Sequence, residues 1–343
     1  MTIETIDATV PFPDRRVVTE QPHFELGLSE NPFSPLPSVL TALNSVMAHA
    51  NKYPEFMPDR LPRVIANRIG VDPEQVVVGS GATGVAMQIM QAVMRPGDRI
   101  AFTLPNFDGY PIMASIVGVQ PTTVPLDTAG RQDLRRLAGV IDRRTSVVVV
   151  CRPHNPTGTL LTEDELRRFL AAVPRRVVVV LDEAYVEFVN AANSIDAVEL
   201  TRKFPNLVVL RTFSKAYGLA GLRIGYAFAA HELAERIRKW QLPFGVNATA
   251  VPAVIASYAA ENELQARVKR ITAEREYLRD ALIRRRIRVP RSFANFLYVQ
   301  GAGVADTLSR AGIIAKPYPD GSARIAAGDP AASRAVLEAL AGR

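Results

Sequence analysis

The feature that most constrains this chain is an alternation of short apolar runs with helical segments between residues 75 and 230. Each run is strand-sized, and it is apolar on both faces rather than at every second position. The segments Ala82–Met94 and Thr162–Ala172 are typical of helices, and the second opens with a hydroxyl residue and an acidic first turn. The pattern predicts an α/β fold with a mostly parallel sheet covered on both sides. The runs are Val76–Val78, Ile100–Leu104, Val147–Cys151, Val177–Leu181, Leu207–Leu210 and Ile224–Phe228.

The flanking segments follow other patterns. Residues 1–35 are rich in proline and polar residues without a period, so they predict an extended arm. A long helical stretch is predicted from about residue 248 to 285. The remainder predicts a small α/β unit with two strands and two helices, at Phe296–Val299, Val304–Ala311, Ala323–Ala327 and Ala331–Leu340.

Composition excludes several classes of protein. No apolar stretch approaches the roughly 18–20 residues that a membrane span needs, and the N-terminus lacks the basic and apolar regions of a signal peptide. The one cysteine, Cys151, excludes a disulfide framework and a multi-cysteine metal site, and it favours a reducing cytoplasm. The net charge of +7 is spread over many arginines without interleaved aromatic residues, which favours small anions over nucleic acid.

The first polar cluster is Gly79-Ser80-Gly81-Ala82-Thr83-Gly84, which follows a predicted strand and opens a helix. Small residues let backbone N–H groups approach a phosphate, and the helix N-terminus adds a favourable dipole. The glycine spacing of this segment also matches the dinucleotide-binding fingerprint G-x-G-x-x-G. Against that interpretation, the next strand ends in Leu104-Pro105-Asn106 rather than in an acidic residue. A tight turn without a ligand is the third possibility.

Two further clusters follow the next strands. Asn155, within the segment 152–158, comes after the strand that ends at Cys151, where open α/β sheets bind ligands. It could donate a hydrogen bond to a ligand oxygen, although such a segment is often only a turn. Asp182 follows four valines and a leucine, so its buried carboxylate requires a cationic partner such as a protonated pyridine nitrogen. A helix-capping role is the alternative.

The most distinctive segment is Arg211–Gly225, which carries Lys215. This lysine follows a strand and small hydroxyl residues, and Arg223 lies eight positions further on. An isolated lysine is usually solvated. Here the glycine-punctuated apolar segment after it predicts burial, a lowered pKa and a nucleophilic amine.

Together these segments resemble fold-type I aminotransferases that depend on pyridoxal 5'-phosphate (PLP), in the subgroup of histidinol-phosphate and aromatic amino acid aminotransferases. The order of motifs matches from residue 29 to residue 328, and Thr212–Gly225 is the most specific part. The resemblance implies a large PLP-binding domain at residues 36–245, with a mainly parallel seven-stranded sheet. It also implies a smaller α/β domain at residues 246–343, and an arm at residues 1–35 that packs with the small domain or a partner subunit.

The resemblance also implies residue roles. Lys215 would bond covalently to PLP and move the substrate proton, and Asp182 would hold the ring nitrogen protonated. Tyr110 would stack on the ring, while Asn155 and Tyr185 would bond its 3'-oxygen. The catalytic residues would be Lys215, Asp182 and Tyr185. The phosphate would be bound by Gly81, Ala82, Thr83, Thr212, Ser214 and Arg223, with Tyr53 reaching it from the neighbouring subunit of a homodimer. The substrate would be bound by Arg324, as partner of its carboxylate, and by Asn31, Phe33 and Lys316.

Two departures from the family bear on the substrate. Histidinol-phosphate enzymes often have a tyrosine where this chain has Phe33, and tend to have an arginine where it has Lys316. Both changes weaken phosphate recognition. We therefore expect ping-pong transfer from an aromatic amino acid to 2-oxoglutarate, with histidinol phosphate as the second candidate donor. A PLP-dependent decarboxylase of a phosphorylated amino acid and a nicotinamide-dependent dehydrogenase are the alternative functions.

Overall fold

The computed structural model describes residues 24–342. In chain order its strands are β1 (Phe24–Glu25), β2 (Val76–Ser80), β3 (Arg99–Leu104), β4 (Gln120–Pro125), β5 (Thr145–Cys151), β6 (Val178–Asp182), β7 (Leu207–Thr212), β8 (Ile224–Ala229), β9 (Phe296–Val299), β10 (Ile313–Ile314), β11 (Lys316–Pro317) and β12 (Ala323–Ala326). Its α-helices are α1 (Pro37–Met47), α2 (Arg60–Ile69), α3 (Gly81–Val93), α4 (Gly109–Val117), α5 (Leu134–Gly139), α6 (Glu163–Ala172), α7 (Ala197–Lys203), α8 (His231–Arg238), α9 (Ala250–Ala259), α10 (Glu261–Arg284), α11 (Val304–Arg310) and α12 (Pro330–Ala339).

A seven-stranded sheet forms the centre of the molecule, in the order β2-β8-β7-β6-β5-β3-β4. The pairs from β7 to β4 are parallel. Strand β8 is antiparallel to both of its neighbours, β2 and β7. The predicted α/β fold with a mainly parallel seven-stranded sheet is therefore confirmed.

The central strands carry valine side chains on both faces of the sheet, so both faces must be covered by helices. In β5, Val148 and Val150 enter one core cluster, whereas Val147 and Val149 enter the other, as the two-residue period of a strand requires. All four side chains are fully buried. Helices α3, α4 and α8 pack on the second face, and the remaining helices up to α10 contribute to the first.

Two small sheets lie in the last part of the chain. The first is antiparallel, with the order β11-β12-β9. In the second, β1 pairs in parallel with β10, so that Phe24 lies opposite Ile313 and Glu25 opposite Ile314. Leu26 joins the core cluster of α11, α12 and these strands. The first described residues are therefore attached to the C-terminal part of the chain.

The six strands predicted from apolar runs are all present. The predicted cap of α6 is also present, because Thr162 Oγ1 accepts a hydrogen bond from the N–H of Glu165 and the Glu165 carboxylate accepts one from the N–H of Thr162. Strand β4 was not predicted, because it is a polar edge strand in which Val124 alone is buried. The helical stretch predicted from about residue 248 to 285 is confirmed, but it is divided into α9 and α10 because the chain leaves helical geometry at Ala260.

The domain boundaries at residues 36 and 246 stay predictions. Residues 1–23 of the predicted arm lie outside the described residues. Leu264 and Val268 of α10 share a core cluster with the central sheet, so this helix packs against the sheet as well as against the C-terminal part. Within residues 24–342, no helix is long and apolar enough to cross a membrane.

Candidate active site

A cleft of about 520 Å³ opens where the parallel strands β5, β6 and β7 end. This edge is where open α/β sheets bind ligands, because successive loops converge there. Most of the residues predicted to bind cofactor or substrate line the cleft together. They are Ala82, Thr83, Tyr110, Asn155, Asp182, Tyr185, Thr212, Ser214, Lys215, Arg223, Lys316 and Arg324.

Lys215 lies in the loop after β7, and its amine points into the cleft. Its Nζ donates hydrogen bonds to the carbonyl oxygens of Leu28 and Ser29, at 3.0 and 3.2 Å. Burial, followed by the positive charge of Arg324, lowers the pKa of Lys215 to about 8. The unprotonated, nucleophilic fraction of this amine near neutral pH is therefore larger than that of an ordinary lysine.

Asp182 is the last residue of β6 and lies in the floor of the cleft. One carboxylate oxygen accepts a hydrogen bond from the hydroxyl of Tyr110 at 2.7 Å, and the other accepts one from the N–H of Ala184 at 3.0 Å. Burial raises the pKa of Asp182 despite these bonds. A cation placed against this carboxylate would relieve the cost of burying it.

An anion-binding cradle forms where α3 begins. Gly81 has φ of 71°, and its N–H donates to the carbonyl of Arg223 at 2.9 Å. A Cβ at Gly81 would collide with the Arg223 guanidinium, so only glycine allows this approach. The hydroxyls of Thr212 and Ser214 lie 2.9 Å apart beside them. The helix N-terminus, hydroxyls and guanidinium together suit a phosphate.

The register of β8 brings the parts of this cradle together. Gly225 lies opposite Gly79 on β2 and opposite Thr212 on β7. A Cβ at Gly225 would collide with the backbone of Gly81 and Ala82. The antiparallel strand therefore aligns the loops at residues 79–83 and 212–214, which are far apart in the sequence.

Arg324, on β12, forms another part of the cleft wall. Its guanidinium donates to Oδ1 of Asn155 and to the carbonyl of Gly27, both at 2.6 Å. Its Nε is buried without a hydrogen-bond partner among the described residues. No ion pair joins Arg324 to a carboxylate within residues 24–342. A buried guanidinium with unused donors is suited to a carboxylate ligand.

Tyr185 lies between the lysine and this wall. Its ring packs edge-on against Phe296 at 5.0 Å, and the Nζ of Lys215 lies 5.6 Å from the ring centroid. Burial raises the pKa of Tyr185 to about 12, so its hydroxyl stays protonated. Tyr185 can therefore donate a hydrogen bond to an oxygen bound between Asn155 and Lys215.

Four predicted site residues are not among the residues that line this cleft, namely Gly81 at the start of α3 and the three described next. The amide of Asn31 donates to the carbonyls of Lys215 and Ala216, so it holds the lysine loop. Phe33 packs against the core, with Arg270 at 4.5 Å over its ring. Tyr53 is 83% exposed and lies against Phe244 in a separate groove. The ligand roles of these residues stay predictions.

The cleft also contains residues that the sequence did not single out as binding residues. Asp108 precedes α4 and forms an ion pair with Lys316 across the cleft. Tyr318 lies two positions after Lys316 and packs against Tyr298. Tyr318 directly follows β11, and its position two residues after the predicted site residue Lys316 could have identified it. No local signal joins Asp108 to Lys316, because they are 208 positions apart.

The described residues fit PLP. The cradle suits the phosphate, the buried Asp182 suits a protonated ring nitrogen, and the Lys215 amine suits an aldehyde carbon between them. A dinucleotide would instead need an unpaired acidic residue at the end of β3, where the cleft has Asn106, and the carboxylate of Asp108 further on is paired with Lys316. The donor set therefore favours PLP over a nicotinamide cofactor.

Comparison with known proteins agrees with this assignment. The family described as aminotransferase class I and II matches residues 22–340. The chain is 43% identical to the aromatic amino acid aminotransferase of Cutibacterium acnes, over 92% of this chain and 91% of that protein. It is 41% identical to the Rhodococcus jostii protein of the same name, over 98% and 93%. Histidinol-phosphate aminotransferase from Sinorhizobium meliloti, solved in complex with PLP, superposes with a TM-score of 0.85 at 27% identity, covering 92% and 89% of the two chains.

Proposed function

The chain belongs to the class I and II aminotransferase family, and we propose that it transfers the amino group of an aromatic amino acid to 2-oxoglutarate. It is a PLP-dependent enzyme that acts on an amino acid and a 2-oxo acid. The observation that carries the proposal is the presence, in one cleft, of the Arg324 guanidinium, which has no carboxylate partner among the described residues, and of an apolar wall that includes Leu28 and Phe107.

PLP, when bound, supplies an electron sink that stabilises negative charge on the substrate Cα. Asp182 keeps the ring nitrogen protonated, because its buried carboxylate needs a positive partner. The Lys215 amine lies in the cleft, 5.6 Å from the centre of the Tyr185 ring, and it would accept the Cα proton of a bound amino acid and donate a proton to the aldehyde carbon of the cofactor. Arg324 orients the substrate by its carboxylate.

Several features support an aromatic donor. Leu28 is 69% exposed and Phe107 is 37% exposed at the cleft, so an aromatic side chain would bury apolar surface on both. Tyr318 adds a third hydrophobic contact. The relatives from C. acnes and R. jostii are both named aromatic amino acid aminotransferases. Histidinol phosphate remains the second candidate donor, because Arg324 could bind its phosphate. The structural neighbour from S. meliloti is also named a histidinol-phosphate aminotransferase.

Two further parts of the proposal concern the acceptor and the assembly. The acceptor 2-oxoglutarate carries a carboxylate next to its reacting carbon, so Arg324 can hold both substrates in turn in a ping-pong exchange. Exposed Tyr53, Phe56 and Phe244 form an apolar cluster that a second subunit would cover. We propose a homodimer with shared active sites, working in the reducing cytoplasm that the single buried Cys151 favours.

Steady-state kinetics with a panel of donors tests the proposal. We expect kcat/KM for phenylalanine or tyrosine to exceed that for histidinol phosphate, with 2-oxoglutarate as acceptor. Parallel double-reciprocal lines are expected for a ping-pong mechanism. A kcat/KM more than tenfold higher for histidinol phosphate would overturn the aromatic assignment, and carbon dioxide release without a 2-oxo acid would indicate a decarboxylase.

A further inference from the structure

The ion pair between Asp108 and Lys316 crosses the mouth of the cleft. Lys316 starts β11, where it lies opposite Arg324 in the register of the small sheet. Asp108 precedes α4, on the far side of the cleft. The pair is partly exposed, with 36% of the Lys316 side chain and 58% of the Asp108 side chain accessible. A substrate entering the cleft therefore passes directly beside both charges.

Each cation of the cleft has an assignable partner. The Lys and Arg residues that line it are Lys215, Arg223, Lys316 and Arg324. Arg223 belongs to the phosphate cradle of the cofactor, and Lys215 is the reactive amine. Arg324 is placed for the substrate carboxylate. Among the described lining residues, Lys316 is then the remaining cation for a second anionic group, and Asp108 already holds it.

We infer that Asp108 is a specificity-determining residue, because its carboxylate occupies Lys316 and so disfavours donors that carry a phosphate. A phosphate must break the Asp108–Lys316 pair to reach the lysine, and it then lies beside the Asp108 charge. Like charges in a cleft of reduced dielectric repel more strongly than in water. An aromatic ring needs no such partner, so the pair leaves it unaffected. The inference rests on the proposed function and adds the residue that enforces its substrate choice.

The Asp108 side chain has no role in capping α4 that would complicate a test. Asp108 precedes α4, yet its side chain makes no capping hydrogen bond. Asparagine is an equally good residue at a helix N-terminus. The substitution Asp108→Asn therefore removes the charge while leaving the helix intact, and Asp108→Ser offers a second variant of the same kind.

The experiment uses the PLP-loaded enzyme at low ionic strength, where charges are screened least. Because a donor alone can react with the PLP-loaded enzyme, the apparent dissociation constant of histidinol phosphate is taken from the dependence of the stopped-flow absorbance change on donor concentration, for the wild type, Asp108→Asn, Lys316→Met and the double variant. A freed lysine adds a hydrogen bond to a charged group, so we expect Asp108→Asn to bind histidinol phosphate about tenfold more tightly or better. In the Lys316→Met background this gain should disappear.

Two results would overturn the inference. The first is an unchanged dissociation constant in both Asp108 variants. The second is a gain of equal size with and without Lys316, since Asp108 would then act by repulsion alone rather than by occupying the lysine. The inference is decided by the change from wild type to variant, whereas the aromatic proposal is decided by the wild-type ratio of kcat/KM for phenylalanine and histidinol phosphate. The two can therefore fail separately.

Discussion

The hydroxyl of Tyr110 donates a hydrogen bond of 2.7 Å to Oδ2 of Asp182. The bond joins the residue that the sequence predicts to stack on the cofactor ring to the carboxylate that is predicted to hold the ring nitrogen. It stabilises the ionised form of Asp182, whose pKa is raised by burial. Tyr110 thus preserves the negative charge that the cofactor needs.

This relationship predicts different outcomes for two variants. Tyr110→Phe keeps the ring but loses the bond to the carboxylate, so we expect PLP to dissociate about three- to tenfold more readily. Tyr110→Ala also loses the aromatic contact and should weaken PLP binding at least tenfold further. Fluorescence or absorbance titration of cofactor-free protein measures both constants. Equal losses in the two variants would mean that the ring makes no contact with PLP.

A second prediction concerns the charge on Asp182. Asp182→Asn keeps an oxygen for the N–H of Ala184 but cannot balance a protonated ring nitrogen. We expect kcat to fall by about 10²–10³-fold or more, while PLP still binds through the Arg223 cradle. Asp182→Ala should lose as much activity. A near-normal kcat for Asp182→Asn would show that Asp182 serves only as a cap.

The lowered pKa of Lys215 predicts a pH dependence of stability. The folded protein releases this proton near pH 8, whereas an unfolded chain holds it up to about 10.5. Between these values the unfolded state binds more protons, so the contribution of Lys215 to stability rises with pH. Cofactor-free Lys215→Met should therefore be about 1–3 kcal/mol more stable than the wild type at pH 7. Urea denaturation should show this difference closing towards pH 10.5, and a constant difference would contradict the assignment.

The proposed shared site predicts complementation between inactive variants. Lys215→Ala should lose both transamination and the borohydride-reducible PLP adduct. Tyr53→Ala should lose activity through the neighbouring subunit's cofactor. Mixing the two should restore part of the activity, because hybrid dimers contain one intact site. Ile116→Ala, at an exposed position away from the Tyr53 cluster, is the matched control and should stay active. A fully active monomer in solution scattering would refute the shared site.

Sequence patterns were sufficient for most of the central sheet, because its strands are buried on both faces. Val147–Cys151 illustrates this, since an apolar run bounded by polar turns admits few other structures. Strand β4 escaped notice because an edge strand packs little side-chain surface, and its residues Gln120 and Thr122 are consequently polar. The break at Ala260 has no glycine or proline to mark it.

The candidate site could be anticipated where one short segment carries several groups, as around Lys215. Contacts between segments that are distant in the sequence could not be anticipated. The bond from Arg324 to Asn155 spans 169 positions, and the pair between Asp108 and Lys316 depends on how two sheets are placed against each other. In each of these pairs, the residues next to one partner in the sequence give no indication of which residue the other partner is. For Asn31, the sequence predicts a site residue but not its contact with the lysine loop, since a loop-to-loop bond leaves no periodic signal.

The pairing of β1 with β10 has a consequence for the order in which the protein is made. Leu28 and Ser29, whose carbonyls bind the Lys215 amine, follow a strand that pairs with residues 313 and 314. A ribosome releases Lys215 about a hundred residues before it releases that partner strand. The strand pairing that anchors the segment over the lysine therefore forms only after residue 314 has left the ribosome.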